Sequence, residues 1–202
     1  MDIYEKSLEI LKKLAESGIE FYLVGGWAIW CYNPYMKSRD IDLIVKERDS
    51  WRLRDFLLDL GFRETAKVLE KKGFSMMWGD DKIEIDVYDK RIGKYDIKEL
   101  MEKPAKRKIN GKLVSVISIT NLFILKSYTA MERLGTAKGE KDLSDLLALL
   151  DAHYKDIEWS KLEIKDLLQI LLKDYKQTTR IYPLSLEKYK NIKNYLKKSK
   201  KI

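Results

Sequence analysis

A single cysteine, Cys31, among 202 residues leaves no partner for an intramolecular disulfide and excludes a zinc site built on cysteines. A single histidine, His153, likewise excludes a histidine-cluster metal centre, and it is read as a helix-surface residue. The chain has only three prolines, and no Pro- or Gly-rich linker, internal repeat or low-complexity segment outside the last lysines. Its longest apolar run, Phe21 to Tyr32, is broken by Gly25-Gly26 and reaches about 12 residues, where a bilayer span needs about 20. Met1 to Gly18 is charged and amphipathic, which is not the pattern of a signal peptide. A cytoplasmic location and no membrane partner are therefore expected. Gly135-x-x-x-Gly139-x-Lys141 is not a P-loop, because the glycines are too close, Asp142 replaces the hydroxyl residue and a helix precedes it.

What is present is a globular mix, 45% hydrophobic and 36% charged, long enough for one domain or for a core with a helical extension. The formal charge of +8 is concentrated toward the end, where Lys188 to Lys201 meet almost no acid. A run of this kind attracts polyanions such as RNA by releasing their counterions; its plainer reading is a solvated helix end.

Residues Ile3, Leu8, Ile10, Leu11 and Leu14 recur at helical spacing, and Gly18 closes that helix. A strand over Phe21–Val24, a turn at Gly25-Gly26, a short helix Trp27–Tyr32 stopped by Asn33-Pro34, and a strand Ile41–Val45 follow. Asp49 or Ser50 is expected to cap a helix running to Leu60. Phe62–Tyr88 reads as antiparallel strands broken at Gly73 and at Gly79-Asp80-Asp81, the last strand being Lys82–Tyr88. Asn110-Gly111 signals a hairpin between Lys106–Ile109 and Lys112–Ile117. Beyond it the pattern is helical, with helices expected over about Thr120–Leu134, Gly139–Leu150, Ser160–Tyr175 and Ser185–Lys197. The fold class is α+β: a mixed sheet with flanking helices over residues 1–118, then a helical part, 119–202, packed on that core.

The chemistry concentrates in Phe21–Val45. Alternate residues of a strand share a face, so Asp40 and Asp42 project together, about 7 Å apart, while Ile41 and Leu43 point into a core. Paired carboxylates where a sheet meets a loop suit a magnesium ion, which takes oxygen ligands from a few carboxylates, waters and phosphates. Asp86, between apolar Ile85 and Val87, is the best third carboxylate, and Glu84 on the same face is the fallback. Gly25 and Gly26 would let backbone approach a phosphate at a helix N-terminus, and Ser38 and Lys37 could add a hydroxyl and a charge. Each feature also has an ordinary reading, as outward-facing strand polarity or as a tight strand–helix turn. Trp27 and Trp30 could stack a base, but beside a core strand they are expected to pack.

Gly25-Gly26-Trp27, the Asp-x-Asp strand and the later strand with Asp86 resemble the nucleotidyltransferases of the DNA polymerase beta superfamily, nearest the aminoglycoside and abortive-infection toxin-type branches. The likeness covers about Ile19–Leu150, because Lys126 matches a helix-borne lysine and Lys141, Asp142 and Asp145 match a downstream Lys-Asp-x-x-Asp motif. Toxin-type relatives usually carry an arginine four residues before the first metal aspartate, where this chain has Met36 with Lys37 beside it. The resemblance implies metal-dependent transfer of a nucleoside monophosphate from a nucleoside triphosphate to an acceptor hydroxyl. Asp40, Asp42 and Asp86 would hold two Mg2+ ions, with Mn2+ as the alternative, and Asp86 would take the acceptor's proton. Gly25, Gly26 and Ser38 would hold the phosphates, with Lys126 or Lys141 neutralising them.

Two other functions fit the same residues. One is a non-catalytic nucleotide- or RNA-binding module on this fold, motivated by the basic tail. The other is a transfer-RNA-modifying toxin held in check by an antitoxin protein. The acceptor, the base preference and the oligomeric state have no sequence signal.

Overall fold

The computed structural model describes residues 2–35, 38–65, 73–79, 83–162 and 164–202. They form two compact units, Met1–Ser118 and Ile119–Ile202.

The first unit begins with α1 (Ile3–Glu16), β1 (Phe21–Val24), α2 (Gly25–Tyr32), β2 (Ile41–Val45) and α3 (Glu47–Asp59). It continues with β3 (Arg63–Glu64), β4 (Gly73–Trp78), β5 (Ile83–Tyr88), β6 (Arg91–Ile92), β7 (Tyr95–Asp96), α4 (Ile97–Leu100), β8 (Ala105–Ile109) and β9 (Lys112–Val116). Seven of these strands make one mixed sheet in the order β3-β4-β5-β2-β1-β9-β8. In it β1 runs antiparallel to β2 and parallel to β9, and β2 runs parallel to β5. The α+β class and the mixed sheet with flanking helices read from the sequence are both found here.

Apolar patterning explains the centre of the sheet. All four residues of β1 are buried, and β2 is buried except at Asp42. In β5 burial alternates, with Ile83, Ile85 and Val87 inside and Glu84, Asp86 and Tyr88 half-buried on the other face. Each fully buried aliphatic side chain contributes about 1.5–3 kcal/mol, so the one-residue register that sorts these faces is strongly fixed. The β8–β9 hairpin turns at Asn110 and Gly111, both with positive φ (47° and 78°), the conformation that tight primed turns demand.

Local details depart from the expected pattern. α2 starts at Gly25, so the two glycines form the first turn of the helix rather than a separate loop. α3 starts earlier than expected, with Lys46 at its N-cap. Asp49 thus sits inside the first turn, and the Ser50 hydroxyl donates to Asp89 at 2.7 Å instead of capping. Gly73 opens β4, and residues 66–72 before it lie outside the described residues. The expected Asp80-Asp81 turn and the start of the last strand at Lys82 lie outside the described residues.

The second unit contains α5 (Ile119–Glu132), α6 (Ala137–His153), a 3-10 turn at Trp159–Lys161, α7 (Lys165–Leu171), α8 (Tyr175–Ile181) and α9 (Leu186–Lys198). Thr136, Asp174 and Ser185 cap α6, α8 and α9 by accepting from the amides of Gly139, Gln177 and Lys188. The single helix expected over Ser160–Tyr175 is split. Trp159 is held by its indole N–H on the Tyr154 carbonyl (2.9 Å) and by edge contact with Phe123, and Asp174 caps a new helix just where the expected one would have ended. Among the described residues no helix is long and apolar enough to cross a membrane.

Candidate active site

The sheet register gathers part of the site expected from sequence. Val24, the last residue of β1, lies opposite Asp42, and across the parallel pairing Asp42 lies opposite Asp86. The two carboxylates therefore sit side by side on one sheet face, beside the point where β1 passes into α2. Asp40 falls just before β2, in a bend, so the alternation that was to align it with Asp42 does not extend to it. Its carboxylate takes a 3.0 Å hydrogen bond from Arg39 Nε, in a pair whose side chains are 53% and 44% exposed. That hydrogen bond, with the charges of Asp40 and then Glu84, holds the Arg39 guanidinium above its ordinary value. Among the described residues no three His, Cys, Asp or Glu side chains converge as a metal site. Asp42 and Asp86 are adjacent, and Asp40 is turned to Arg39.

The glycines are fitted to these side chains. A Cβ built on Gly25 would lie 2.0 Å from Asp42 Oδ2, and Gly25 has φ +60°. A Cβ on Gly26 would lie 2.6 Å from both Cβ and Oγ of Ser38, which is buried. Only hydrogen at these two positions lets the start of α2 lie directly against the Asp42 carboxylate and the Ser38 hydroxyl. An oxygen-lined cradle closed by backbone suits a hard cation and the phosphates that accompany it. The residues present thus fit a magnesium ion at Asp42 and Asp86. Met36 and Lys37 lie outside the described residues.

Two residues beside this site are not among those expected from the sequence. Ser75, on β4, lies opposite Asp86 and is 2% exposed. Its hydroxyl donates to Glu84 Oε1 at 3.0 Å, which ties the fallback carboxylate to the neighbouring strand. Ser7, on α1, is fully buried and donates to the Arg39 carbonyl at 3.0 Å, across 32 residues. Strand patterning could have shown Ser75 on the Asp86 face; nothing local points from Ser7 to Arg39.

The tryptophans pack as expected. Trp27 is fully buried and meets Trp30 edge-on at 5.6 Å. Burial raises the Cys31 thiol to about 12, so it is protonated and inert at neutral pH.

The lysines of the downstream motif belong to the second unit. Lys126 on α5 places its ammonium 2.9 Å from Asp142 and 2.6 Å from Asp145, both on α6, with all three side chains nearly buried. Burial alone would lower the Lys126 pKa, but the charges and hydrogen bonds of Asp145 and Asp142 outweigh it and hold it above the ordinary lysine value. Arg133 approaches Asp142 at 3.6 Å. The ammonium that the resemblance assigns to phosphates is thus engaged within its own unit, and Asp145 pairs with Lys126 rather than with the exposed Lys141.

The fold has counterparts among solved structures. ANT(2'')-Ia in complex with adenylyl-2''-tobramycin is 20% identical with a TM-score of 0.59, over 71% of this chain and 87% of that one. A nucleotidyltransferase-like protein from Paracoccidioides brasiliensis is 17% identical with a TM-score of 0.58, over 89% and 91% of the two chains. The lincosamide antibiotic adenylyltransferase LnuA, lincomycin-bound, is 13% identical with a TM-score of 0.52, over 72% and 94%. At these identities the likeness is one of fold. No curated protein matches the chain. The family model for "Nucleotidyl transferase of unknown function (DUF2204)" matches residues 3–172, and the chain belongs to that family of nucleotidyl transferases.

Proposed function

We propose that the chain transfers a nucleoside monophosphate from a nucleoside triphosphate to an acceptor hydroxyl, releasing pyrophosphate, and that the transfer depends on magnesium. The observation that carries this is the cross-strand pairing of Asp42 with Asp86, closed on one side by the Gly25 backbone. Asp42 and Asp86 would hold the ions, Mg2+ or alternatively Mn2+, and Asp40 would join them once released from Arg39. Bound there, such ions lower the charge barrier between attacking and leaving oxygens. The backbone amides at the start of α2 and the Ser38 hydroxyl would receive phosphate oxygens, and the absence of a Cβ at Gly25 and Gly26 supports their close approach. Asp86 would accept the proton of the attacking hydroxyl on a carboxylate oxygen.

Taking Lys126 to a phosphate would mean opening a nearly buried ion cluster, a change that costs about 3–5 kcal/mol. We assign Lys126 to holding α5 against α6; Lys141, the other lysine of the downstream motif, is exposed. ATP is the nucleotide of choice, since one solved structure of this fold carries an adenylyl product and another is named an adenylyltransferase.

Incubating the protein with each α-labelled nucleoside triphosphate, Mg2+ and a pool of aminoglycosides, lincosamides and RNA tests the proposal. Label should move from ATP to an acceptor, and Asp42→Asn should abolish the transfer. Equal transfer by the Asp42 variant would overturn it.

A second reading concerns the partner. α9 buries Tyr189, Ile192 and Leu196 and exposes Lys190, Lys197 and Lys198, which supports RNA binding by its outer face. RNA affinity should fall steeply with salt and survive Asp42→Asn; salt-independent binding would rule this reading out.

A further inference from the structure

We propose that Ser7 is a positioning residue for the acidic turn, holding the peptide that presents Asp40; this rests on the nucleotidyl-transfer reading of that turn. The buried side of α1 consists of Ser7, Ile10, Leu11 and Leu14. Ser7 is the one polar member of this stripe and is fully buried. A buried hydroxyl must find an acceptor, and the helix offers one locally: Ser7 Oγ lies 3.1 Å from the Ile3 carbonyl. Oγ also lies 3.0 Å from the Arg39 carbonyl, a contact that local helix geometry does not require.

The choice of carbonyl matters. The Arg39 oxygen belongs to the same planar peptide as the Asp40 nitrogen and Cα, so fixing that oxygen fixes the plane from which the Asp40 side chain departs. The other side of the turn is held by Ser38, wedged against Gly26. Without Ser7 the turn keeps its Ser38 anchor but loses the one next to Asp40. The Arg39–Asp40 ion pair cannot replace it, because a half-exposed pair of adjacent residues is weak. Ser7 acts through the Arg39 carbonyl on where Asp40 lies.

The test uses the full chain with Ser7→Ala, Ser7→Thr and Ser7→Cys, and with Asp42→Asn for comparison. Binding of Mn2+ with a non-hydrolysable ATP analogue is measured by calorimetry, alongside the melting temperature. Losing one hydrogen bond should weaken Mn2+–nucleotide binding about three- to tenfold in the alanine variant. The melting temperature should scarcely change, since alanine is the best helix former. Thr keeps the donor and should restore binding; Cys has the size but only a weak donor and should follow Ala, which serves if the added methyl of Thr prevents folding. Wild-type affinity in both Ala and Cys variants would overturn the proposal. So would a loss that tracks the melting temperature and is not separated by donor strength, which is the signature of packing alone. If Asp42→Asn binds as tightly as wild type, the metal reading of the site fails, and this proposal falls with it. If Asp42→Asn abolishes binding while Ser7→Ala and Ser7→Cys do not weaken it, only the role of Ser7 is lost.

Discussion

Replacing Gly25 with alanine should separate the site from the fold. The new Cβ would stand 2.0 Å from Asp42 Oδ2 and 2.7 Å from its Cγ, where unstrained contacts between heavy atoms begin near 3.5 Å. The carboxylate must therefore retreat by more than about 1 Å or leave its rotamer, the latter at about 0.5–1.5 kcal/mol. Gly25 also has φ +60°, which costs an alanine roughly 1–2 kcal/mol. Together these give about 2–3 kcal/mol, or a fall in melting temperature of about 4–12 °C for a chain of this size. The effect on catalysis comes on top of the stability term and is of similar size, because a displacement near 1 Å at the reacting centre costs about 10²-fold in rate, or about 2.7 kcal/mol. Gly18 supplies the control. It has φ +71° with nothing within 4 Å of its would-be Cβ, so Gly18→Ala carries the backbone penalty without the contact. Transfer assays with thermal melts of both variants should show a smaller destabilisation at Gly18, about 1–2 kcal/mol, with activity lost only at Gly25. Wild-type activity in Gly25→Ala, or equal activity loss in both variants, would mean that the Gly25–Asp42 contact does not serve the transfer.

Other substitutions probe the remaining anchors. Gly26→Ala places a Cβ 2.6 Å from Ser38 and should raise the KM for nucleotide, read by steady-state kinetics, more than it lowers stability. Lys126→Met leaves Asp142 and Asp145 buried without their ammonium and should destabilise the chain by about 3–5 kcal/mol in urea unfolding, with partial recovery when both aspartates are also made Asn. Because the Lys126 pKa is raised, its contribution is fully present below its ordinary 10.5 and is lost only as pH climbs through the folded value. The stability gap between wild type and Lys126→Met should therefore stay constant from about pH 6 to 9 and narrow only in stronger alkali. Cys31, pushed up by burial to about 12, should react with a thiol reagent at pH 8 about 10³-fold more slowly than free cysteine, as followed by absorbance.

The parts legible in the sequence are those set by local pattern. The apolar runs of β1 and β2, the alternation of β5 and the Asn110-Gly111 turn fix their elements with nothing but neighbouring residues. The glycine pair next to Asp-x-Asp also pointed to a close approach of backbone and carboxylate, and Gly25 and Asp42 do meet. What could not be read depends on partners far along the chain. Ser7 looks like an ordinary helix serine until Arg39 is placed over it, and Lys126 like a surface lysine until α6 brings two carboxylates to it. Strand alternation aligns Asp40 with Asp42, but β2 begins at Ile41 as expected and Asp40 lies in the bend before it. The helix expected over Ser160–Tyr175 failed because apolar spacing persists across a break that a capping aspartate, Asp174, creates.

Asp42 and Asp86, opposite each other on β2 and β5, should act as one cation site. Calorimetric titration of Mn2+ into the nucleotide-bound protein, with Asp42→Asn, Asp86→Asn and the double variant, tests it most directly. Ligands of a shared ion are strongly coupled, so each single variant should lose nearly as much affinity as the double. Losses that simply add, or Mn2+ binding that survives in the double variant, would mean that the two carboxylates do not share an ion.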